Sequence, residues 1–582
     1  MDQNEQKLIN DALTGVQDWE SDMSEHFGLM NEWANAYRMK KSTKDKRPTG
    51  VSDTVTADMT GAVNALAEAI TQMQTIADPN FELRSTGASE DELYPLEVRY
   101  QNQLSNIQFK RKLLKGNRGM CLFGTQAWET PYQRVYCPSA SDPWMMATDF
   151  IPLSLLQLAF RSGVYDMDYS DFMAPIHFFN ENFLRFATRG PEWDHAAIEE
   201  GIKIKQSAQS EARSRIENRR NTAGYTEGEK PKNELILFHG KLSDYENPLI
   251  AQMWAKYGRT DDPKDCDFTI GILNRRKIVR FHPTPYNTWH HLVKIGHYIE
   301  FELEPIAYGV GALGYQLQKD MNRITRRNHD TQTFDVYSMK FVGRGAGLKS
   351  SNLKVFPFNM IPVDNVDQIK DLRPNVDGIG HGLKLIESIR DNFRRATHAS
   401  DTLQAVVTGA TAREVVLAQS SDMRAVSLNA EINGDAVLRS TFQTMHRNHI
   451  DQNPYDSNFV PDLQFIIKCT TDKDYKPEHS KKLLEFLMLT TSVRQNMPLD
   501  FNPTPILKYL ARSVGINPRE LKEPRTQLDR TLDAMRRING DSGLKGSIAN
   551  EVNGEVESTA APLGGISEVP NEVPTSPMEV IG

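Results

Sequence analysis

The sequence predicts an α+β fold, mainly helical, on three observations. Apolar residues recur at helical spacing through the first forty residues, through Val55–Ile76, and in long runs after Gly378. A block rich in β-branched and aromatic residues falls in the middle of the chain, where Glu234–His239, Asp267–Leu273, Lys277–Phe281 and Tyr298–Leu303 have the composition of strands. One long helix, Ile306–Asp330, follows that block, and Val310, Leu313, Leu317, Met321 and Ile324 give it a single narrow apolar stripe.

Taken in order, Trp19, Phe27, Met30, Trp33 and Tyr37 place an amphipathic helix within residues 1–40. The basic cluster Lys40, Lys41, Lys44, Lys46 and Arg47 follows as a solvated loop. A second helix stops at the breaker pair Asp78-Pro79. A third, Gln101–Lys115, is expected to end near Gly116, with a strand over Gly119–Glu129 and a partner strand at Tyr132–Cys137. Ile151–Val164 has the composition of a strand, and Ile198–Arg220 that of a strongly charged helix. Beyond the long helix, a strand is expected over Phe334–Val342, a Gly- and Lys-containing loop over Gly343–Lys354, and extended chain to Val363. Helices then dominate to Ile538. From Gly540 the chain loses its aromatics and carries seven acids against the single base Lys545, a composition that favours disorder.

Composition excludes several classes. No apolar run approaches the roughly 18 residues of a membrane span, and the first residues lack the apolar core of a signal peptide. The four cysteines form no Cys-x-x-Cys pair, so neither a zinc site nor a disulfide framework is expected, and no metal or cofactor is assigned. A formal net charge of −8 is wrong for a tight DNA clamp, which gains affinity by neutralising phosphates, but it suits a surface along which DNA must slide.

Two glycine-rich stretches suggest nucleotide chemistry. Gly309-Val-Gly-Ala-Leu-Gly314 has the spacing of a dinucleotide fingerprint, yet Glu304-Pro305 occupies the place of the tight strand-to-helix turn and no second βαβ unit follows. A dinucleotide-binding oxidoreductase built on Gly309–Gly314 is therefore the weaker alternative. Gly343-Arg-Gly-Ala-Gly-Leu-Lys-Ser350 suggests a phosphate loop, but Leu348 stands where the glycine before Lys-Ser is required. His290, His291 and His297 lack a nearby acid in metalloprotease spacing, and the chain has no Gly-x-Ser-x-Gly elbow. No catalytic residues are assigned, and the chain is expected not to be an enzyme.

With those motifs set aside, what remains is an order of elements, together with several loose motifs. Asp78-Pro-Asn-Phe-Glu-Leu83 resembles an early strand, Gly119–Glu129 a wing strand, and Gly309–Asp330 a stem helix of the portal (head-to-tail connector) proteins of short-tailed bacteriophages. The stretch Gly343–Val363, with Lys349, Phe356-Pro357 and Ile361-Pro362, looks like their tunnel-loop region. Thr408-Gly-Ala-Thr-Ala-Arg-Glu-Val415 is the most specific piece. It is similar to a T-A-T-E-V segment that opens a long helix in the family, with Arg413 where a small or polar residue is usual. The resemblance covers residues 10–540.

The resemblance implies a portal fold with wing, stem, clip and crown regions, assembled as a ring. It divides the chain into an N-terminal wing region (1–195), a first stem helix (196–225), a β-rich clip (226–304), a second stem helix (305–332), a tunnel loop, long helix and body (333–470), a helical crown (471–540) and a disordered acidic tail (541–582). The implied assembly is a homododecamer at one capsid vertex of the virion, put together in the host cytoplasm. Double-stranded DNA would pass through it, and the terminase large subunit, a tail adaptor, the major capsid or scaffolding protein and internal ejection proteins would dock on it, with no membrane partner. Arg344, Lys349 and Lys354 would touch phosphates from the tunnel loop, and Gly343, Gly345 and Gly347 would let that loop shift. The stem bases Lys319, Arg323, Arg326 and Arg327 either line the channel or pair with acids of the adjacent subunit. Another virion ring, such as a tail adaptor or tube subunit, is the nearer alternative.

Overall fold

The structure is a computed structural model that describes residues 3–40, 52–75, 80–85, 87, 90–136, 144–190, 192–204, 233–336, 340–343, 360–363, 377–399, 425–452 and 463–467. It is a mixed α and β fold in which helix outweighs strand, with no closed barrel among the described residues. The chain opens on α1 (Gln3–Asp22) and α2 (Ser24–Tyr37), separated at Met23, where one amphipathic helix was expected. The apolar stripe of α1, Leu8, Ile9, Ala12, Leu13, Val16 and Trp19, is buried. Its Gly15 lies flush on the ring of Phe172, so α1 packs closely on a sheet.

That sheet has five antiparallel strands: β6 (Leu158–Phe160), β7 (Phe172–Phe179), β8 (Asn233–Gly240), β9 (Phe268–Leu273) and β10 (Lys277–Pro283), in spatial order β10-β9-β8-β7-β6. Every residue of β8 and β9 is buried. Two-residue periodicity explains why. Ile236, Phe238, Ile270 and Ile272 face the main core, while Leu235, Leu237 and Leu273 join a second cluster with Leu184 of α6 (Glu181–Ala187) and Ala197 and Ile198 of α7 (His195–Lys203). A sheet covered on both faces reads as a continuous apolar run, which is how its central strands were legible in the sequence. The sheet takes β6 and β7 from before residue 195 and β8–β10 from after 226, so the expected wing and clip spans share one sheet.

A second, three-stranded sheet joins the same two spans. Its order is β11-β2-β5, from β2 (Thr125–Glu129), β5 (Ile151–Leu153) and β11 (Val293–His297). Behind it α3 (Asp58–Thr75), α5 (Phe109–Phe123), α9 (Val310–Val336) and α10 (Asp377–Thr397) pack together with α2. Strand β1 (Phe81–Arg84) pairs antiparallel with β14 (Gln464–Ile467), bringing distant parts of the chain together around Phe81, Tyr100, Phe442 and Phe465. Other described elements include α4 (Glu90–Asn106), the hairpin β3 (Tyr132–Tyr136) and β4 (Trp144–Thr148), α8 (Pro248–Lys256), the parallel pair β12 (Lys340–Gly343) and β13 (Met360–Val363), and a π-helical turn, Gly434–Arg439, leading into α11 (Ser440–Gln452).

Five local expectations need correction. The third helix does not stop at Gly116: α5 runs to Phe123, and Gly116 is a contact glycine against which the Trp128 indole lies. The strand expected from Gly119 therefore begins only at Thr125. Tyr132–Tyr136 pairs with β4 and not with β2, because β2 already has partners on both edges. Tyr298–Leu303 is a turn and the strand lies just before it, at Val293–His297. The alternation Glu300-Phe301-Glu302-Leu303 imitates a strand, but Phe301 and Leu303 are 61% and 65% exposed. Finally, α9 continues to Val336, so residues 334–336 of the expected strand at 334–342 are helical, while 340–342 are extended as part of β12.

Candidate functional site

Helix α9 carries the four predicted stem bases and, at its first turns, one wall of a cavity. Its start is fixed by backbone contact. Gly124 closes α5 with φ +92°, and a β-carbon there would fall inside the Ala307 carbonyl. The Gly124 carbonyl in turn accepts the Tyr298 amide over 2.7 Å. The three glycines of the Gly309–Gly314 motif are each covered by protein. Gly309 faces the Leu122 carbonyl, Gly311 the same carbonyl and the Trp33 ring, and Gly314 the Phe393 ring. Close packing thus accounts for all three, and their surfaces are not open to a pyrophosphate.

Further along, α9 carries two rails one residue apart. The inner rail is polar. Gln318, Asn322 and Arg326 are buried and, with Asp330, recur at four-residue spacing along one face. They serve the backbone of the extended segment Ser52–Thr56. The Met59 and Thr56 amides donate to Gln318 (3.2 Å) and Asn322 (2.8 Å), Arg326 Nε donates to the Thr54 carbonyl (2.7 Å), and the Ser52 amide donates to Asp330 (2.7 Å). Gln318 Nε2 returns a bond to the Thr56 carbonyl at 2.9 Å. An extended segment packed on a helix has no strand to pair with, and these side chains take that part. The outer rail is Lys319, Arg323 and Arg327, all exposed, again at four-residue spacing. None of the three makes an ion pair among the described residues; the Lys319 ammonium lies 5.5 Å from the Tyr315 ring centre. The stem bases thus divide, Arg326 inward and the other three outward. Of the tunnel-loop residues, Gly343 ends β12, while Arg344, Gly345, Gly347, Lys349 and Lys354 lie outside the described residues, as do Thr408–Val415, the expected crown and the acidic tail.

A cavity of about 470 Å³ opens beside the first turns of α9. Its walls come from α2 (His26, Leu29, Trp33), the Glu304–Tyr308 segment, and Ala312, Tyr315 and Gln316 of α9. The Tyr308 hydroxyl donates to Glu304 over 2.9 Å and the Tyr315 hydroxyl to Glu32 over 3.0 Å. The first bond holds the Tyr308 phenol above its ordinary pKa. His26 stands edge-on to Trp33 with its Nε2 buried and without a hydrogen bond, and burial lowers its pKa. Sequence reading missed this site because its aromatic residues are contributed by segments nearly three hundred residues apart and share no spacing.

The histidines weighed as metal ligands are dispersed. His290 stacks on Trp289, His291 is buried against Asn448 with its pKa lowered by burial to about 3, and His297 bonds Thr125. No group of three or more metal-ligating side chains is assembled among the described residues. No helix among them is long and apolar enough to cross a membrane. Neither a protein-family model nor a curated protein matches the sequence.

Proposed function

We propose that the chain is the portal subunit of a short-tailed bacteriophage. Twelve copies would close into a ring, with wing, stem, clip and crown regions, that serves as the DNA channel for packaging and ejection and as the docking platform for terminase and tail proteins. The observation that carries this reading is the outer rail of α9. Lys319, Arg323 and Arg327 are like charges at four-residue spacing, an arrangement that costs a helix about 0.2–0.5 kcal/mol per pair in isolation. The helix beneath them is held by its buried polar rail, so the three cations are presented in a fixed line. Repeated around a ring, that line becomes bands of positive charge suited to a polyanion or to acids of the neighbouring subunit. Contacts of this kind are sequence-independent and weaken with salt, as a conduit requires. The order of elements along the chain and the Thr408–Val415 segment support the same reading.

Negative-stain microscopy of the purified protein tests it. Rings with a central hole are the expected result, and compact monomers or dimers overturn the proposal. In the assembled particle, Lys349→Ala is expected to leave the ring intact and to alter DNA retention or packaging.

A further inference from the structure

The cavity beside α9 has a chemistry of its own. Its lining is mostly apolar, from Met23, Leu29, Ile306 and Ala312, with the rings of Trp33, Tyr308 and Tyr315 standing among those side chains. Glu304 is the carboxylate in the lining, and Glu32 is held at its edge by the Tyr315 hydroxyl. Glu300 and Glu302 are exposed on the same turn as Glu304, and Phe301, itself exposed, packs against Tyr308 at 5.8 Å. The cation nearest these groups on the lining helix is Lys319, drawn over the Tyr315 ring. His26, whose ring lines the cavity, keeps its Nε2 buried and without a hydrogen bond.

We infer that this cavity binds an arginine side chain presented by a partner polypeptide. A guanidinium is flat and weakly hydrated, stacks on aromatic faces, and has five N–H donors to distribute. The cavity offers the rings for stacking, the Glu304 carboxylate as acceptor, and aliphatic side chains for the three-methylene stem. An anionic side chain would be repelled by Glu32, Glu300, Glu302 and Glu304. A purely apolar one would cover the Glu304 carboxylate without supplying a positive charge. The ammonium of lysine would gain less, being compact and strongly hydrated. The exposed Phe301 and Leu303 beside the opening extend the surface a partner backbone would cover. This inference is independent of the ring proposal: a ring that ignores arginine, or a monomer that binds it, separates the two.

The test uses the full chain and Nα-acetyl-arginine amide, followed by saturation-transfer NMR and calorimetry, with Nα-acetyl-leucine amide and Nα-acetyl-lysine amide as controls. Saturable binding of the arginine amide is expected, stronger than that of either control. It should weaken about tenfold in Glu304→Gln, in line with loss of a charge-assisted hydrogen bond. Because Glu304 is exposed, the variant is expected to fold, and its unchanged thermal melt verifies this. Equal binding of the leucine amide, or arginine binding unaffected by Glu304→Gln, overturns the inference. If a second copy of this chain fills the cavity, hydrodynamic size will fall as the arginine amide is added, and that result overturns the assignment to a separate partner.

Discussion

Arg326 Nε, on the buried face of α9, donates to the carbonyl of Thr54 at 2.7 Å, tying the long helix to an extended segment 272 residues away in the chain. The same helix exposes Arg323 and Arg327. Arg326→Met should destabilise the fold by about 1.5–3 kcal/mol, the worth of a hydrogen bond from a charged group. Arg323→Ala should change it by less than about 0.5 kcal/mol. Urea denaturation of the two variants checks the contrast, and equal losses would contradict the division of the basic residues into inner and outer rails.

Gly124 admits no side chain. Its φ is +92° and its missing β-carbon would overlap the Ala307 carbonyl, which belongs to backbone and cannot swing away. Gly124→Ala is expected to cost more than about 4 kcal/mol, in the range of changes that unfold a domain, and to remove the protein from the soluble fraction. Gly28→Ala, at a helical position with open space around it, should leave yield and melting temperature unchanged or slightly raised.

Arg275 holds two carboxylates at once. Its guanidinium donates to Glu20 of α1 at 2.6 and 3.1 Å and to Glu234 of β8 at 3.1 Å, and Glu234 is completely buried. Those acids hold Arg275 above its ordinary pKa despite its burial. Removing one member of a buried network leaves the others uncompensated, so Arg275→Met should lose about 3–5 kcal/mol. Chemical denaturation, and protease sensitivity of α1 in particular, are the measurements.

Lys294 lies on β11, 4% exposed, with its amine on the carbonyls of His290 and His291. Burial and the nearby Arg447 lower its pKa to about 7. Between pH 7 and its ordinary value near 10.4, the unfolded chain binds a proton that the native chain does not. Stability from this group therefore rises with pH across that window and is lowest, and constant, below it. Lys294→Met should remove that rise. The difference in unfolding free energy between wild type and variant, measured at pH 7 and pH 9.5, checks the sign; a difference that does not grow with pH refutes it.

The amino-acid sequence by itself determined the elements whose pattern is local. The α2 stripe and the body of α9 and α10 were legible because burial imposes a period of 3.6 on helices, and the runs of β8, β9 and β10 because β-branched and aromatic residues favour strands. The same logic misled where burial did not follow pattern, as at Glu300–Leu303, whose alternation is solvent-exposed. Tertiary structure alone decided the pairings. Nothing near β3 announces that β2 has its edges filled by β5 and β11, and nothing near Gly116 announces the Trp128 indole. It also decided which polar residues of α9 face inward. Gln318, Asn322 and Arg326 look like solvent positions until Ser52–Thr56, with its unmet backbone hydrogen bonds, is laid against them. A local pattern records which face is buried. It does not record what lies opposite, because that is contributed by chain hundreds of residues away.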